Sequence, residues 1–426
     1  MRMGLDMALR GLLSTVASSV YAAYALAERF TVPEYWVSGT QYSPITALPG
    51  YSFTRSGTQG AVDASGAVQF FAPNVPAINS AGYHAYGALT NLLLRSHEFD
   101  NASWSKSGMT STANTTVAPD GTTTADTVAT NATGARTFQG VTLASGVVHT
   151  QTFIVKKGTA AFAAIRFLSF DSAADTVWFN LTTQAVATKQ AGVLNAYVVP
   201  MTGGFVKLVA TFSTTTDLIG EINLYLTDVD AAFNVTVGHD IYVWYAGILA
   251  GNFPDGGPII TTTTAAVGIG ASALSNTDTV TSADMLFWAT VDRKAARLDN
   301  QMHALWSAGA ATNRVELVSY NTDGYVQVEV AGVLGYNGFG AIPLGLVTLV
   351  AQRVGGNWRG GYVKLGAITW FGAAAAGAFP AGMNTVNAGC SVAGLFQSND
   401  PVKGVHRKIG TFSSDANVLA AVAETT

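Results

Sequence analysis

The sequence predicts a mainly β protein: two antiparallel β-sandwich domains of jelly-roll or lectin-like type, preceded by an amino-terminal α-helix. Three observations predict it. Short apolar runs recur from residue 97 onward, separated by turn signals, with no helical periodicity between them. Glycine, at 45 residues, and abundant Ser and Thr supply the tight turns that such strands need. The sustained three- and four-residue apolar spacing is confined to the first thirty positions.

There, Leu5, Leu9, Leu12, Val16, Val20, Tyr24 and Ala27 mark one apolar stripe, predicting a helix over Leu5–Phe30. Arg2, Arg10 and Ala25-Leu26-Ala27 imitate a secretory signal. Asp6 in the basic region, and Ser14, Thr15, Ser18 and Ser19 in the apolar middle, oppose that reading. The uncharged run Gly11–Ala27 is shorter than the ~20 residues needed to cross a bilayer, so no membrane span is expected. An assembly helix that docks on another chain is preferred, with a signal peptide or an ordinary packed helix as the alternatives. Its contact residues would be Leu5, Leu9, Leu12, Val16, Val20 and Tyr24.

Residues 31–96 are broken by Pro33, Pro44, Pro49, Pro73 and Pro76, and Asp63-Ala64-Ser65-Gly66 is a turn signal. This stretch is expected to be an extended adaptor with one short hairpin. A first sandwich is expected over 97–262, with strands near Val148–Val155, Phe162–Phe170, Val177–Leu181, Tyr197–Val199, Phe205–Phe212, Ile222–Leu226 and Ile241–Leu249. Beyond the Thr261–Thr264 linker, 263–426 should hold a second. Its strand candidates are Met285–Val291, Met302–Trp306, Arg314–Tyr320, Val326–Val330, Val347–Val354, Gly361–Leu365 and His406–Phe412. Asn321-Thr322-Asp323-Gly324 and Gly355-Gly356-Asn357 are hairpin turns. Phe371–Gly382 reads as a glycine-rich crossing loop, and Ser414–Val422 resembles the short helix on which laminin-G and concanavalin-like modules end.

Charged residues make up 11% of the chain, against roughly 25% in ordinary globular proteins, which suits surfaces covered by neighbours in an assembly. A net charge of −4 with scattered Lys and Arg gives no electrostatic footprint for nucleic acid. The single Cys390 excludes an intrachain disulfide and, among small neighbours, reads as a buried thiol.

Two segments carry a more specific pattern. Asn91-Leu-Leu-Leu-Arg-Ser-His-Glu-Phe-Asp-Asn-Ala-Ser-Trp104 is followed by Ala118-Pro-Asp-Gly-Thr-Thr-Thr-Ala-Asp126. Together they resemble the opening of a β-sandwich module found in tailed-phage virion proteins such as fibres and spikes, N-L-L-x-x-S-x-x-F-x-x-x-x-W and then A-P-D-G-T-x-T-A-D. Thr152-Phe-Ile-Val-Lys-Lys-Gly158, Thr202-Gly-Gly-Phe-Val-Lys-Leu208 and Asp240-Ile-Tyr-Val-Trp-Tyr-Ala-Gly-Ile-Leu-Ala-Gly-Asn-Phe-Pro254 resemble its later strands in order. At the last of these, Ile248 and Leu249 replace a polar pair usual in the family. Tyr51–Ser56, Val62–Val68 and Ala72–Ala77 resemble a segment that often precedes the module. The order of the last third is similar to laminin-G and concanavalin-like sandwiches.

Catalytic chemistry is not legible. No strand carries the E-x-D-x-(x)-E acids of glycan-cleaving concanavalin-like enzymes. Glu316 and Glu329 are single acids on apolar strands, and Asp228 and Asp230 read as solvated loop acids. His84, His97, His149, His239, His303 and His406 lack metal-ligand spacing, and no G-x-S-x-G or P-loop occurs. No enzyme, cofactor or metal is expected. For binding, Trp358 and Arg359 in a glycine-rich turn, with Tyr325 and Tyr336 beside other turns, are the candidate glycan contacts, since an exposed ring can stack on a sugar face; packing on a neighbouring subunit is the equal alternative. Trp288, Trp306 and Trp370 read as core.

The resemblance therefore implies a non-enzymatic virion subunit, fibre- or spike-like and assembled in the host cytoplasm. Its expected partners are other virion proteins through the amino-terminal helix, further copies of itself (a trimer favoured), and host cell-surface polysaccharide. A capsid-decorating head fibre, a secreted bacterial lectin or adhesin, and a polysaccharide depolymerase are the alternatives.

Overall fold

A computed structural model describes residues 26–31, 34–37, 40–171, 175–251, 257–263, 268–269, 273–277, 284–293, 297–308, 312–390, 398 and 401–425. The chain divides into two units, one made of 57–72 and 88–270, the other of 1–56, 73–87 and 271–426.

In the unit centred on 88–270, alternating small and apolar residues form two six-stranded antiparallel sheets. One runs Ser105–Ser107, Arg136–Thr142, Ile219–Thr227, Phe162–Leu168, Asp175–Asn180, Ala185–Lys189. The other runs Met109–Val117, Thr123–Thr130, Asp240–Ala250, Val148–Lys157, Phe205–Ser213, Asn195–Pro200. Inward residues of both, including Phe153, Ile165, Phe167, Val177, Leu208 and Phe212, make one continuous core, with Phe167 stacked on Phe212 at 3.7 Å.

The sequence pattern Asn91–Trp104 folds into the lock of this core. Buried Asn91 donates from Nδ2 to the Ala246 and Ile259 carbonyls at 3.2 and 3.0 Å. Its Oδ1 accepts from the Leu93 and Ile248 amides, both at 3.1 Å. Ser96 Oγ accepts from the Thr261 amide at 2.9 Å, and Trp104 Nε1 donates to the Arg95 carbonyl at 2.9 Å. The second half of the pattern closes on the first: the buried carboxylate of Asp126 accepts from the Phe99 amide at 2.7 Å and the Asn114 amide at 2.9 Å. These residue types suit their places because each polar side chain pairs buried main-chain groups that would otherwise lack partners.

The expected hairpin is present, with strands Gln59–Val62 and Val68–Phe71. Asp63 Oδ1 holds its turn by accepting from the Ser65 and Ala67 amides. Gly66 is required there: its φ is +83°, and a Cβ would lie 2.7 Å from Met201 Cα.

The other unit is also a pair of antiparallel sheets. Seven strands run Val333–Ala341, Asp323–Val330, Arg314–Asn321, Arg297–Ser307, Thr385–Ala388, Ala273–Thr277, Ser52–Thr54. The larger sheet, of eleven strands, follows the path Thr40–Tyr42, Glu34–Val37, Leu26–Arg29, Val402–Ile409, Met285–Arg293, Gly345–Val354, Asn357–Lys364, Ala367–Trp370. Phe287, Trp306, Leu317, Val326, Leu349 and Trp358 belong to the core of this unit. The helix Asp415–Ala423, capped by Ser414, packs Val418, Ala421 and Val422 against an apolar cluster with Leu286, Trp288 and Val350.

Two expectations are corrected here. Residues 1–25, which include Leu5, Leu9, Leu12, Val16, Val20 and Tyr24, lie outside the described residues. The end assigned to the same helix, Leu26–Arg29, is a strand paired with Glu34–Val37 and Val402–Ile409. Sheet pairing and burial of the adjacent Phe30 against Tyr83, at 5.4 Å, override the helical spacing. Nor is 31–96 one extended adaptor. Its strands Glu34–Val37, Thr40–Tyr42 and Ser52–Thr54 complete the sheets of the carboxy-terminal unit, whereas its hairpin and residues 88–96 belong to the other. The short segments take free sheet positions, where their backbone groups find partners that an adaptor would leave to water.

Candidate functional site

The four residues expected to contact a glycan are not brought together. Trp358 is the second residue of strand Asn357–Lys364 and is 0% exposed. The glycine-rich stretch after Trp370 passes over it. Phe379 stacks on its ring at 6.2 Å, its Nε1 donates to the Ala378 carbonyl at 3.2 Å, and a Cβ at Gly377 would lie 2.9 Å from its Cδ1. The expectation of an exposed platform is thus corrected: the turn itself has no room for a core, but the crossing segment supplies one. Tyr336 is buried as well, its hydroxyl accepting from the Gly360 amide at 2.6 Å, and burial raises its pKa above the ordinary phenol value.

Arg359, next in the strand, points to the opposite face. Its Cζ lies 4.3 Å from the Trp370 ring centroid, Nε donates to the Gly372 carbonyl at 3.3 Å, and Trp370 Nε1 donates to Asp415 at 2.9 Å. That chain of contacts ties the sheet to the carboxy-terminal helix. Tyr325, half-buried on the seven-stranded sheet, stacks on Phe339 at 6.0 Å.

The acids are engaged structurally. Arg314 bridges Glu316, at 3.1 Å, and Glu329, at 2.8 Å; burial raises the Glu316 carboxyl pKa, Arg314 partly opposing this. Asp228 accepts from the Thr236 amide and from His239 Nδ1, both at 2.7 Å. Burial alone would raise its pKa, but the Thr236 and His239 hydrogen bonds outweigh burial and lower it. Asp230 accepts from Thr188. Buried His303 lies 2.8 Å from both Ser398 Oγ and Ser319 Oγ. Among the described residues no group of three His, Cys, Asp or Glu side chains is placed to hold a metal ion. Cys390 is buried, which pushes its thiol up to about 12.

A feature that sequence reasoning did not single out lies in the unit centred on 88–270. An open cleft of about 680 Å³ is walled by the strand Val68–Phe71, the turn Pro119–Gly121 and the turn Thr202–Gly203, with Lys156 at the end of its own strand. The turns are locked: the Val68 amide donates to the Pro119 carbonyl at 3.0 Å, and the Thr202 amide to the Gly66 carbonyl at 3.1 Å. Lys156 Nζ has no hydrogen-bond acceptor among the described residues and stands 5.8 Å from the Phe205 ring. Asp120 Oδ1 accepts from the Thr122 amide and hydroxyl, and its Oδ2 takes no hydrogen bond among the described residues. The signal was available, since four of the quoted segments contribute to this cleft, but only the fold brings them to one place.

No family model and no curated protein matches the chain. Among solved structures, mouse laminin alpha1 chain domains LG4-5 align with 79% of this chain and 91% of that one, at 10% identity and a TM-score of 0.20. At that score the likeness adds nothing to what the sheets themselves establish.

Proposed function

We propose that the protein is a non-enzymatic structural subunit of a tailed-phage virion, a fibre- or spike-like appendage that docks by its amino terminus and meets host-surface glycans or neighbouring subunits. The observation that supports this reading is the paired pattern Asn91–Trp104 and Ala118–Asp126, whose pattern residues Asn91, Ser96, Phe99, Trp104 and Asp126 are all buried. Five coincident residues with specific hydrogen-bonding or packing roles are a stronger signature than composition, because a different sandwich would meet the same needs with other side chains. A charged fraction of 11% is consistent with a chain whose surfaces meet neighbours. The glycan contact no longer includes Trp358 or Tyr336, which are core residues. The test is mass spectrometry of purified particles, with electron microscopy using an antibody to the protein. Copies on the particle surface are expected; a protein absent from particles overturns the proposal.

A further inference from the structure

The cleft between Val68, Pro119–Gly121, Lys156 and Thr202 has a chemistry that selects among ligand classes. Its volume lies within the ~300–1,000 Å³ usual for small-molecule sites. Its apolar wall is Val117, 58% exposed, while Gln69, Thr116 and Thr202 add a carboxamide and two hydroxyls. One ammonium, Lys156, and one carboxylate, Asp120, complete it.

A purely apolar guest would strip water from Lys156 without giving it an acceptor, and burying an unpaired charge is costly. An anion would be held by Lys156 but meet Asp120, and a cation the reverse. A polyhydroxylated guest satisfies both, because a hydroxyl can donate to the carboxylate and accept from the ammonium, while its C–H surface lies on Val117. We infer that this cleft binds a neutral hexose unit of a glycan. Neighbouring hydroxyls lie between Lys156 Nζ and Asp120 Oδ2, and Thr116, Thr202 and Gln69 supply further hydrogen bonds. The rigid turns pre-form the site, so little ordering opposes binding. Repetition along a polysaccharide and over several copies of the chain would raise avidity by roughly 10²–10⁴ over one weak contact.

This deepens the glycan contact of the proposed function and rests on that reading for its biological setting, but its test is separate. A protein found on particles that binds no sugar here loses only the cleft; one that binds sugar and is absent from particles loses only the virion reading. The probes are D-glucose, D-galactose, D-mannose and D-glucuronate at millimolar concentration, with the full chain, read by saturation-transfer-difference NMR. At least one neutral hexose should receive saturation. Lys156→Met and Asp120→Asn should each reduce the signal about tenfold or more, whereas Asp228→Asn, outside the cleft, should leave it unchanged. Asp120→Asn keeps an oxygen for Thr122, and circular dichroism checks that each variant is folded. Saturation of glucuronate alone, of no hexose, or of hexoses equally in the Lys156 and Asp120 variants overturns the inference.

Discussion

The two units reach similar sandwiches by different means. The one centred on 88–270 is almost continuous in sequence and is fastened by side chains that substitute for backbone, with Asn91, Ser96 and Asp126 each holding main-chain amides of other segments. The other is assembled from three separated pieces. It is held by strand pairing at sheet positions and by an aromatic core in which Trp306, Trp358 and Phe379 meet. Polar locks leave a residue-specific signature in the chain, whereas aromatic cores and edge pairings accept many substitutes. One unit therefore carries a short residue-specific pattern, and the other only a succession of strands.

The sharpest way to break this comparison is Trp358→Ala. If Trp358 were a loop residue its loss would be nearly neutral. As a buried core ring it should cost about 3–5 kcal/mol, measured by urea unfolding of the full chain. A change below about 1 kcal/mol would return it to the surface. Burial in the same unit is probed by Cys390, whose thiol burial pushes up to about 12. Near pH 8 it should react with iodoacetamide on the order of 10³-fold more slowly in the folded protein than in denaturant, because the thiolate is the reacting species. Equal rates would mean that Cys390 is open to solvent.

In the polar-locked unit, Asn91→Leu keeps the branched shape but orphans the Leu93 and Ile248 amides and the Ala246 and Ile259 carbonyls, and should cost roughly 2–4 kcal/mol. An effect no larger than that of an exposed Asn substitution would refute the lock. The smallest effect is expected at Asp171. Burial alone would raise its carboxyl pKa, yet the amides of Asp217, Thr216 and Thr215 outweigh burial and hold it far below the usual range. A depressed folded-state pKa means that its contribution is present above the unfolded value, roughly 4, and is lost as pH falls through the folded one. Hydrogen exchange at Thr215–Asp217 should therefore stay protected at pH 5, and Asp171→Ala should remove the protection there. Protection that survives the substitution would assign the turn to backbone geometry alone.

The β class, the strand runs in both units and the Asp63–Gly66 hairpin were legible in the amino-acid order, because each rests on local alternation or turn chemistry. Strands such as Met109–Val117 and Val333–Ala341 were not, since Thr, Asn and Gly there carry little alternation and gain their structure from neighbouring strands. The four residues expected at a glycan site showed the same limit. Sequence placed Trp358 beside glycines, but only the segment through Phe379, distant in the chain, decided that the ring is buried. Conversely, Lys156, Asp120 and Thr202 stand in separate segments of the sequence and acquire a shared place only where a strand and two turns meet. By itself the sequence determined the alternating and apolar strands and the turns between them, because those depend on near neighbours. Which strands share a sheet, that residues 26–54 complete the sheets begun after residue 271, and which polar groups face one cleft were decided by tertiary structure, because they depend on burial and pairing between residues far apart in the chain.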